Sequence, residues 1–175
     1  MLHGDRICLR APEDGDWFVL HQLRNDVATQ VSLMSAPRAN SMERVRNWVS
    51  QVSADAGSLF YVIARPDDGA PAGRGAVGYI QLVQMNQLHG HAELGICLSE
   101  DARSRGYAAD AIETLLGHAR RVFSLRKATL RVRRDNTKAI ALYRRTGFRE
   151  VGVLEAHHYH DGTYHDVVIM ERLLR

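Results

Sequence analysis

The sequence predicts an α/β (α+β) fold, a mixed and mostly antiparallel seven-stranded sheet with flanking helices. Short apolar segments separated by turn-forming residues occupy the region from 59 to 98, which is typical of a strand meander and not of repeated βαβ units. The stretch after Gly106 instead repeats apolar residues at three-and-four spacing, which indicates an amphipathic helix. With 175 residues, 45% apolar and 25% charged, the sequence predicts one domain over 1–175.

The first elements are a strand and two helices. Apolar and polar residues alternate over Arg6–Arg10, which predicts a short strand. Pro12 and the acidic residues behind it indicate the start of a helix that frays at Leu23–Asp26. Ser35–Pro37 indicates a loop, and Ser41 can cap a second helix.

The next elements are three strands joined by loops. They are predicted over Leu59–Ala64, Ala76–Val83 and His91–Leu98. Gly and Pro clusters indicate a loop at Pro66–Gly69 and a turn at Asn86–Gly90. Gly95 is unfavourable within a strand, so it indicates a bulge or the close approach of another backbone.

The second half alternates helices and strands. The helix entered through Gly106 continues to Phe123, and a strand with one buried face follows over Ala128–Val132. Asn136 can cap a short helix that ends at Gly147. The last two strands are predicted over Phe148–Leu154 and His165–Met170, with a hairpin turn around Asp161–Gly162.

The stretch Leu98–Ala108, LSEDARSRGYA, is a candidate anion site between a strand and a helix. A turn of this kind aims free backbone N–H groups at one point beside the positive end of the helix dipole. Gly106 allows the backbone to approach a ligand, and the small Ala108 leaves the first helical turn clear. A glycine is also common in strand-to-helix turns without a ligand, so the motif alone leaves both interpretations open.

Three further motifs accompany this turn in order. Ala92–Ile96 lies before it, and Asp135–Tyr143 and Thr146–Phe148 lie after it. The ordered set resembles the GNAT superfamily of acyl-CoA N-acyltransferases. Within it, the chain looks like the group holding ribosomal-protein alanine, spermidine and amino-sugar N-acetyltransferases. The resemblance implies a GNAT-like fold and transfer of acetyl from acetyl-CoA to a primary amine by direct attack in a ternary complex.

The resemblance also implies acetyl-CoA as co-substrate, with pantetheine against the opened strand that holds Gly95. The implied coenzyme-binding residues are Ile96, Cys97, Leu98, Arg103, Ser104, Arg105, Gly106, Tyr107, Ala108, Asn136 and Tyr143. A backbone N–H around Ile96 to Leu98 is the simplest donor to the oxyanion. A CoA-binding module without turnover is the competing class, and the presence of both Tyr143 and an intact turn argues against it.

Two residues are candidates for proton transfer. By resemblance Tyr143 is the general acid for the departing thiolate, although an aromatic residue on an apolar helix face also serves packing. Glu93 lies in an apolar strand, a setting that can raise a carboxyl pKa toward that of a base acting through water. Glu93 on a solvated strand face is the alternative, and His91 is a weaker competitor on the same face.

The acceptor class is predicted from charge. The segment 30–38 has no acidic residue and carries Arg38, which would repel a polycation and tolerate an anion. With the Arg24–Asn25 pair at the end of the first helix, the pattern resembles the amino-sugar enzymes that act on nucleotide-linked substrates. The resemblance implies a nucleotide-linked amino sugar as acceptor, a peptide N-terminus is compatible with the same charge, and a polyamine is the alternative. The candidate acceptor-binding residues are Arg24, Asn25, His91, Glu93 and His158.

Other ligand classes are not expected. The histidines at 157, 158, 160 and 165 match no zinc spacing, so no metal is predicted and an acceptor-pocket role is preferred. The net charge of +3 suits CoA, and without interleaved aromatics nucleic acid is not predicted. Lacking any run of 18 apolar residues, the chain is expected to be cytoplasmic and not to bind membranes. A homo-oligomer is compatible with the sequence, which does not determine it.

Overall fold

A computed structural model describes residues 1–65 and 75–174, in which one sheet of eight strands is the central element. The strand order is β1-β2-β3-β4-β5-β6-β8-β7. The strands are β1 Leu2–His3, β2 Cys8–Arg10, β3 Leu59–Ala64, β4 Ala76–Asn86, β5 His91–Leu98, β6 Lys127–Arg133, β7 Arg149–His160 and β8 Thr163–Leu173.

The predicted sheet type is confirmed. Strands β5 and β6 are parallel, and the other neighbouring pairs of described strands are antiparallel. The eighth strand is β1, whose two residues pair with Leu9 and Cys8. A two-residue segment is too short to show a period in sequence, so it was not among the seven predicted strands. The predicted loop at Pro66–Gly69 lies outside the described residues.

Five α-helices flank the sheet in the described part of the chain. They are α1 Trp17–Asn25, α2 Val27–Ser32, α3 Met42–Ala54, α4 Tyr107–Phe123 and α5 Thr137–Arg145. The predicted first helix is divided into α1 and α2, because Asp26 adopts an extended conformation between them. The Asp26 carboxylate accepts from Thr29 N at 2.8 Å and so caps α2. None of the described helices is both long and apolar enough to cross a membrane.

The helix ends follow the predicted capping residues. Ser41 Oγ accepts from Arg44 N at 3.1 Å, and Asn136 Oδ1 accepts from Ala139 N at 3.2 Å. Gly106 precedes α4 at φ +84°, and Gly147 follows α5 at φ +79°. Both glycines occupy the left-handed region, where a side chain is strained.

Helices cover both faces of the sheet. On one face, apolar residues of α4 and α5 pack on the inward side chains of β2 to β6 and of β8; Ile112, Leu115 and Met170 are fully buried there. On the other face, α1 and α3 pack on Phe60, Tyr79 and their neighbours. Each face therefore has its own apolar core.

The parallel strands β5 and β6 separate after a short contact. Hydrogen-bonded pairing joins His91–Glu93 to Lys127–Thr129 and then stops, although β5 continues to Leu98 and β6 to Arg133. The two strand ends enclose a wedge that opens toward the N-terminus of α4. This divergence places the candidate site in the middle of the sheet.

Candidate active site

A cavity of about 790 Å³ opens where β5 and β6 diverge. Ten of the eleven predicted coenzyme-binding residues line it: Ile96, Cys97, Leu98, Arg103, Ser104, Gly106, Tyr107, Ala108, Asn136 and Tyr143. Arg105 does not line the cavity. Its Nε donates to Asp101 O at 2.8 Å, which directs the side chain back onto the turn.

The open end of β5 presents backbone groups to this cavity. Ser99 N donates to Val77 O at 2.8 Å, so the N–H group of Ser99 faces β4. Because the N–H and C=O groups of successive residues alternate sides along a strand, those of Leu98 and Ile96 face the open side. Arg103 Nε donates to Leu98 O at 3.2 Å, which agrees with this orientation. The N–H groups of Ile96 and Leu98, and not that of Cys97, are therefore the candidate oxyanion donors.

Gly95 marks neither a bulge nor a backbone contact. Its register opposite Gln81 is continuous with the pairs on either side. A Cβ atom at position 95 would lie 3.2 Å from the Gln81 side chain. The glycine thus makes room for the Gln81 amide on the sheet face that lines the cavity, a side-chain reason that sequence analysis did not consider.

The turn before α4 has the form of an anion cradle. The helix begins directly after Gly106, and this N-cap residue has no side chain that could accept a hydrogen bond from the first turn. The leading N–H groups of α4 consequently lack an intrahelical acceptor and point toward the cavity wall. Arg103 N is not among the free groups, because it donates to Glu100 O at 3.1 Å.

Two residues that sequence analysis missed support this cradle. Asp110, in the first turn of α4, accepts from the backbone N atoms of Asp5, Arg6 and Ile7 at 3.1, 2.6 and 3.1 Å. Arg6 Nη1 then reaches Arg105 O at 3.3 Å and adds a positive charge beside Gly106. These contacts span about a hundred residues, so no local pattern signals them.

Tyr143 lies on α5 with its ring edge against Phe148, at a centroid distance of 5.9 Å. It lines the cavity and also packs against the core, so its two sequence interpretations are compatible. Burial, with a smaller contribution from the nearby Cys97 thiol, raises the pKa of Tyr143 to about 12. The phenol therefore keeps its proton at neutral pH and has one to donate.

Glu93 lines the cavity but is not isolated among apolar groups. Arg131 Nη2 lies 3.3 Å from Glu93 Oε2, and 29% of the Glu93 side chain is exposed. This ion pair is a feature that the sequence interpretation of an apolar setting did not include. Glu93 is nevertheless the one carboxylate among the described residues that line the cavity.

Arg24 forms part of the opposite wall. Its guanidinium lies 4.7 Å from the centroid of the Trp48 ring, and its charge partly offsets the rise that burial causes in the pKa of Tyr79. No described carboxylate forms an ion pair with it. The cavity thus has Arg24 on α1 and the Glu93–Arg131 pair on the sheet, and Arg103, Lys138 and Arg145 add further positive charge to its lining.

Three of the predicted acceptor residues do not line this cavity. The Asn25 amide donates to His21 O at 2.9 Å and Asn40 O at 3.0 Å and accepts from Asn40 N at 2.8 Å, which ties α1 to the segment before α3. His91 lies at the start of β5 beside His89. His158 lines a separate cavity of about 450 Å³, between residues 34–37 and the tip of the β7–β8 hairpin.

The described residues contain no group of three or more His, Cys, Asp or Glu side chains that could hold a metal ion. The histidines near the hairpin instead contact Arg133, Asp135 and one another. His165 Nδ1 lies 3.5 Å from Arg133 Nη2, and the rings of His158 and His165 are 6.5 Å apart. Desolvation, aided by nearby Arg133, lowers the pKa of His158, which favours its neutral form.

Comparison with known proteins identifies the family. The family model for the acetyltransferase (GNAT) domain matches residues 6–149 of this chain. The chain belongs to the GNAT acetyltransferase family. Spermidine N(1)-acetyltransferase of Vibrio cholerae serotype O1 is 27% identical over 164 residues, covering 94% of this chain and 91% of that relative. The Escherichia coli K12 enzyme of the same name is 28% identical over 162 residues, covering 93% of this chain and 83% of that enzyme.

A solved GNAT structure agrees with the fold described above. The crystal structure of the V. cholerae spermidine N-acetyltransferase with CoA and spermine has a TM-score of 0.85 and 26% sequence identity, covering 95% of each chain. The chain is therefore an acetyl-CoA-dependent N-acetyltransferase with the GNAT fold. Acetyl-CoA is its co-substrate.

Proposed function

We propose that this enzyme acetylates a primary amine of a polyamine of the spermidine class. The observation that carries the acceptor class is the similarity, over nearly the whole of both chains, to the spermidine N-acetyltransferase of V. cholerae. Charge in segment 30–38 favours an amino sugar or a peptide amine. Similarity in sequence and in structure supports the polyamine alternative instead.

The reaction is direct attack of the amine on the thioester within a ternary complex. The coenzyme pyrophosphate sits on the turn before α4, and its pantetheine lies along the free edge of β5. This places the thioester beside Ile96 and Leu98, whose N–H groups stabilise the oxyanion. Binding both reactants in one cavity replaces a bimolecular encounter, and no covalent enzyme intermediate is needed.

Two side chains move the protons. Glu93 accepts a proton from the acceptor ammonium through a water molecule, since a free amine of this type has a pKa near 10.4 and must become neutral to attack. Its charge also attracts the cationic acceptor. Tyr143 donates its proton to the departing thiolate, because its raised pKa keeps the phenol protonated.

A second acceptor class is favoured by one observation. Arg24 faces the cavity without a carboxylate partner among the described residues, and its stacking on Trp48 fixes its position. A guanidinium held in this way suits a phosphate or carboxylate group. An amine carried on an anionic molecule is therefore the competing acceptor.

Acceptor kinetics separate these classes. Thiol release from acetyl-CoA is measured with spermidine, spermine, a nucleotide-linked amino sugar and a peptide N-terminus. We expect spermidine to reach a kcat/KM above about 10⁴ M⁻¹s⁻¹, the lower end of the usual enzyme range. A preference of tenfold or more for an anionic acceptor would overturn the polyamine proposal.

The variant Arg24→Gln sharpens the comparison. It should leave spermidine turnover unchanged or improved, and it should reduce turnover of an anionic acceptor by about 10²-fold or more, the loss expected when a charged hydrogen-bonding partner is removed. Arg46→Gln is the matched control. Arg46 also stacks on a tryptophan, at 5.5 Å from the Trp17 ring centroid, but does not line the cavity.

A further inference from the structure

The side chain of Arg103 connects the turn before α4 to α2, on the opposite wall of the cavity. Its Nε donates to Leu98 O at 3.2 Å, at the end of β5. Its Nη2 donates to Thr29 Oγ1 at 3.3 Å, across 74 residues of sequence. The guanidinium is thus directed away from the cradle and toward the α2 segment.

At the α2 end, Arg103 joins a small polar network. Thr29 is 3% exposed, and its backbone N donates to the Asp26 carboxylate at 2.8 Å. The hydrogen bonds from Thr29, together with the nearby charge of Arg103, lower the pKa of Asp26. Asp26 therefore stays ionised at neutral pH and holds a negative charge near the guanidinium.

The segment that Arg103 reaches forms one wall of the cavity. Thr29 and residues 32–35 line it, and they face Tyr79 and Gln81 of β4 across the same space. Arg103 belongs to the turn at 103–106, and its side chain bonds both to the end of β5 at Leu98 O and to the segment at 26–35 through Thr29.

We propose that Arg103 is a positioning residue that couples coenzyme occupancy to the order of the 26–35 wall. A pyrophosphate bound to the N–H groups after Arg103 fixes the turn from which this side chain projects. The fixed side chain then holds Thr29. The wall therefore becomes ordered, and loses conformational entropy, when the coenzyme binds, so the acceptor binds to a wall that is already ordered. By linkage, acceptor and coenzyme strengthen each other's binding by the same factor. The inference rests on the coenzyme site proposed above but not on the identity of the acceptor.

Hydrogen exchange of the full chain tests this coupling with CoA alone as the probe. Amide exchange of peptides covering 26–35 is followed with and without saturating CoA, and CoA affinity is measured separately by calorimetry. In the wild type, we expect CoA to slow exchange in this segment by about tenfold or more, the effect of a coupling of roughly 1.4 kcal/mol. In Arg103→Ala the effect of CoA on the segment should fall below about twofold, the level of an uncoupled segment, while CoA still binds.

Two variants at the other end of the bond provide the matched comparison. Thr29→Val keeps the buried volume but removes the hydroxyl, so it should lose the CoA effect as Arg103→Ala does. Thr29→Ser keeps the hydroxyl and should retain the effect. Because these variants leave Arg103 in place, they test the proposal even if Arg103→Ala does not fold.

Two outcomes would overturn the proposal. One is equal protection by CoA in wild type, Arg103→Ala and Thr29→Val, which would show that the wall orders without this bond. The other is a wild type that binds CoA but shows no protection at 26–35. A wild type that does not bind CoA would overturn the proposed coenzyme site, and with it this inference.

Discussion

Arg10 and Asp16 form a buried bidentate ion pair, with Nη1–Oδ2 at 2.6 Å and Nη2–Oδ1 at 2.8 Å. Asp16 is fully buried, and its Oδ2 also accepts from Glu13 N at 2.8 Å. The pair therefore joins β2 to the turn that begins α1. Since α1 carries Arg24 at its other end, this pair supports one wall of the active site.

Removing one partner of this pair should be costly. We expect Asp16→Ala to lower the free energy of unfolding by about 3–5 kcal/mol, because the buried Arg10 guanidinium loses its bidentate partner and keeps only the more distant Glu13 Oε2, at 3.8 Å. Urea unfolding followed by circular dichroism measures the change. Glu150→Ala is the control, since it breaks the exposed Arg144–Glu150 pair and should cost only about 0–1 kcal/mol. Equal losses of unfolding free energy in both variants would contradict the conclusion that the buried Arg10–Asp16 pair matters more than the exposed pair.

A side chain at Gly106 should weaken coenzyme binding. In Gly106→Val the left-handed backbone is strained and a Cβ lies 3.4 Å from Arg6 Nη1, so we expect CoA affinity to fall at least about tenfold, or roughly 1.4 kcal/mol. Calorimetry gives the affinity. Gly162→Val is the control, because Gly162 has φ +77° but no atom within 4 Å of a Cβ there. That variant should be similarly strained yet bind CoA normally. Unchanged affinity in a folded Gly106→Val would reject the cradle.

Loss of the Tyr143 hydroxyl should slow the chemical step. We expect Tyr143→Phe to lower kcat by about 10²–10⁴-fold, the range for a general acid, with little change in CoA affinity. The ring and its contact with Phe148 are retained, so the fold should be unaffected. Turnover near the wild-type rate would leave Tyr143 with a packing role only.

The pH dependence of turnover offers an independent test of the same group. Because the pKa of Tyr143 is raised to about 12, its protonated, proton-donating form persists throughout the neutral and mildly alkaline range. The kcat profile should therefore show no decline from this group up to about pH 10, where an ordinary tyrosine would be half ionised. A decline that is present near pH 9 in the wild type and absent in Tyr143→Phe would contradict this pKa.

The effect of the Glu93 carboxylate on activity can be distinguished from the effect of its ion pair with Arg131. If Glu93 accepts the amine proton, Glu93→Gln should lower kcat/KM for the acceptor by about 10²-fold or more with CoA affinity unchanged. Arg131→Gln removes the same ion pair but leaves the carboxylate, so it should retain most of the activity. Equal losses in steady-state kinetics of the two variants would mean that the ion pair, and not proton transfer, is what matters.

The elements that sequence analysis predicted correctly depend on local patterns. The apolar period of α4 and the capping residues Ser41 and Asn136 are read within one or two helical turns, and the turn at Gly106 combines a glycine with a strand-to-helix boundary. These features predict the fold and the turn before α4 without reference to distant residues.

What sequence analysis missed depends on long-range contacts. Asp110 binds the backbone of residues 5–7, and Arg24 stacks on Trp48 of another helix, contacts that only the packed fold creates. Asn25 was expected to bind substrate, but Asn40 occupies its amide, a pairing across fifteen residues with no periodic signal. The acceptor side is therefore the part that the sequence determines least.

The short pairing between β5 and β6 has a consequence for the stability of the protein without its coenzyme. Backbone pairing between β5 and β6 stops at Glu93 and Thr129, and in the proposed complex the coenzyme lies along the strand edges left open there. Bound ligand at a hundred times its Kd adds about 2.7 kcal/mol to the free energy of unfolding. We therefore expect the chain to be cleaved faster in limited proteolysis without CoA than with saturating CoA.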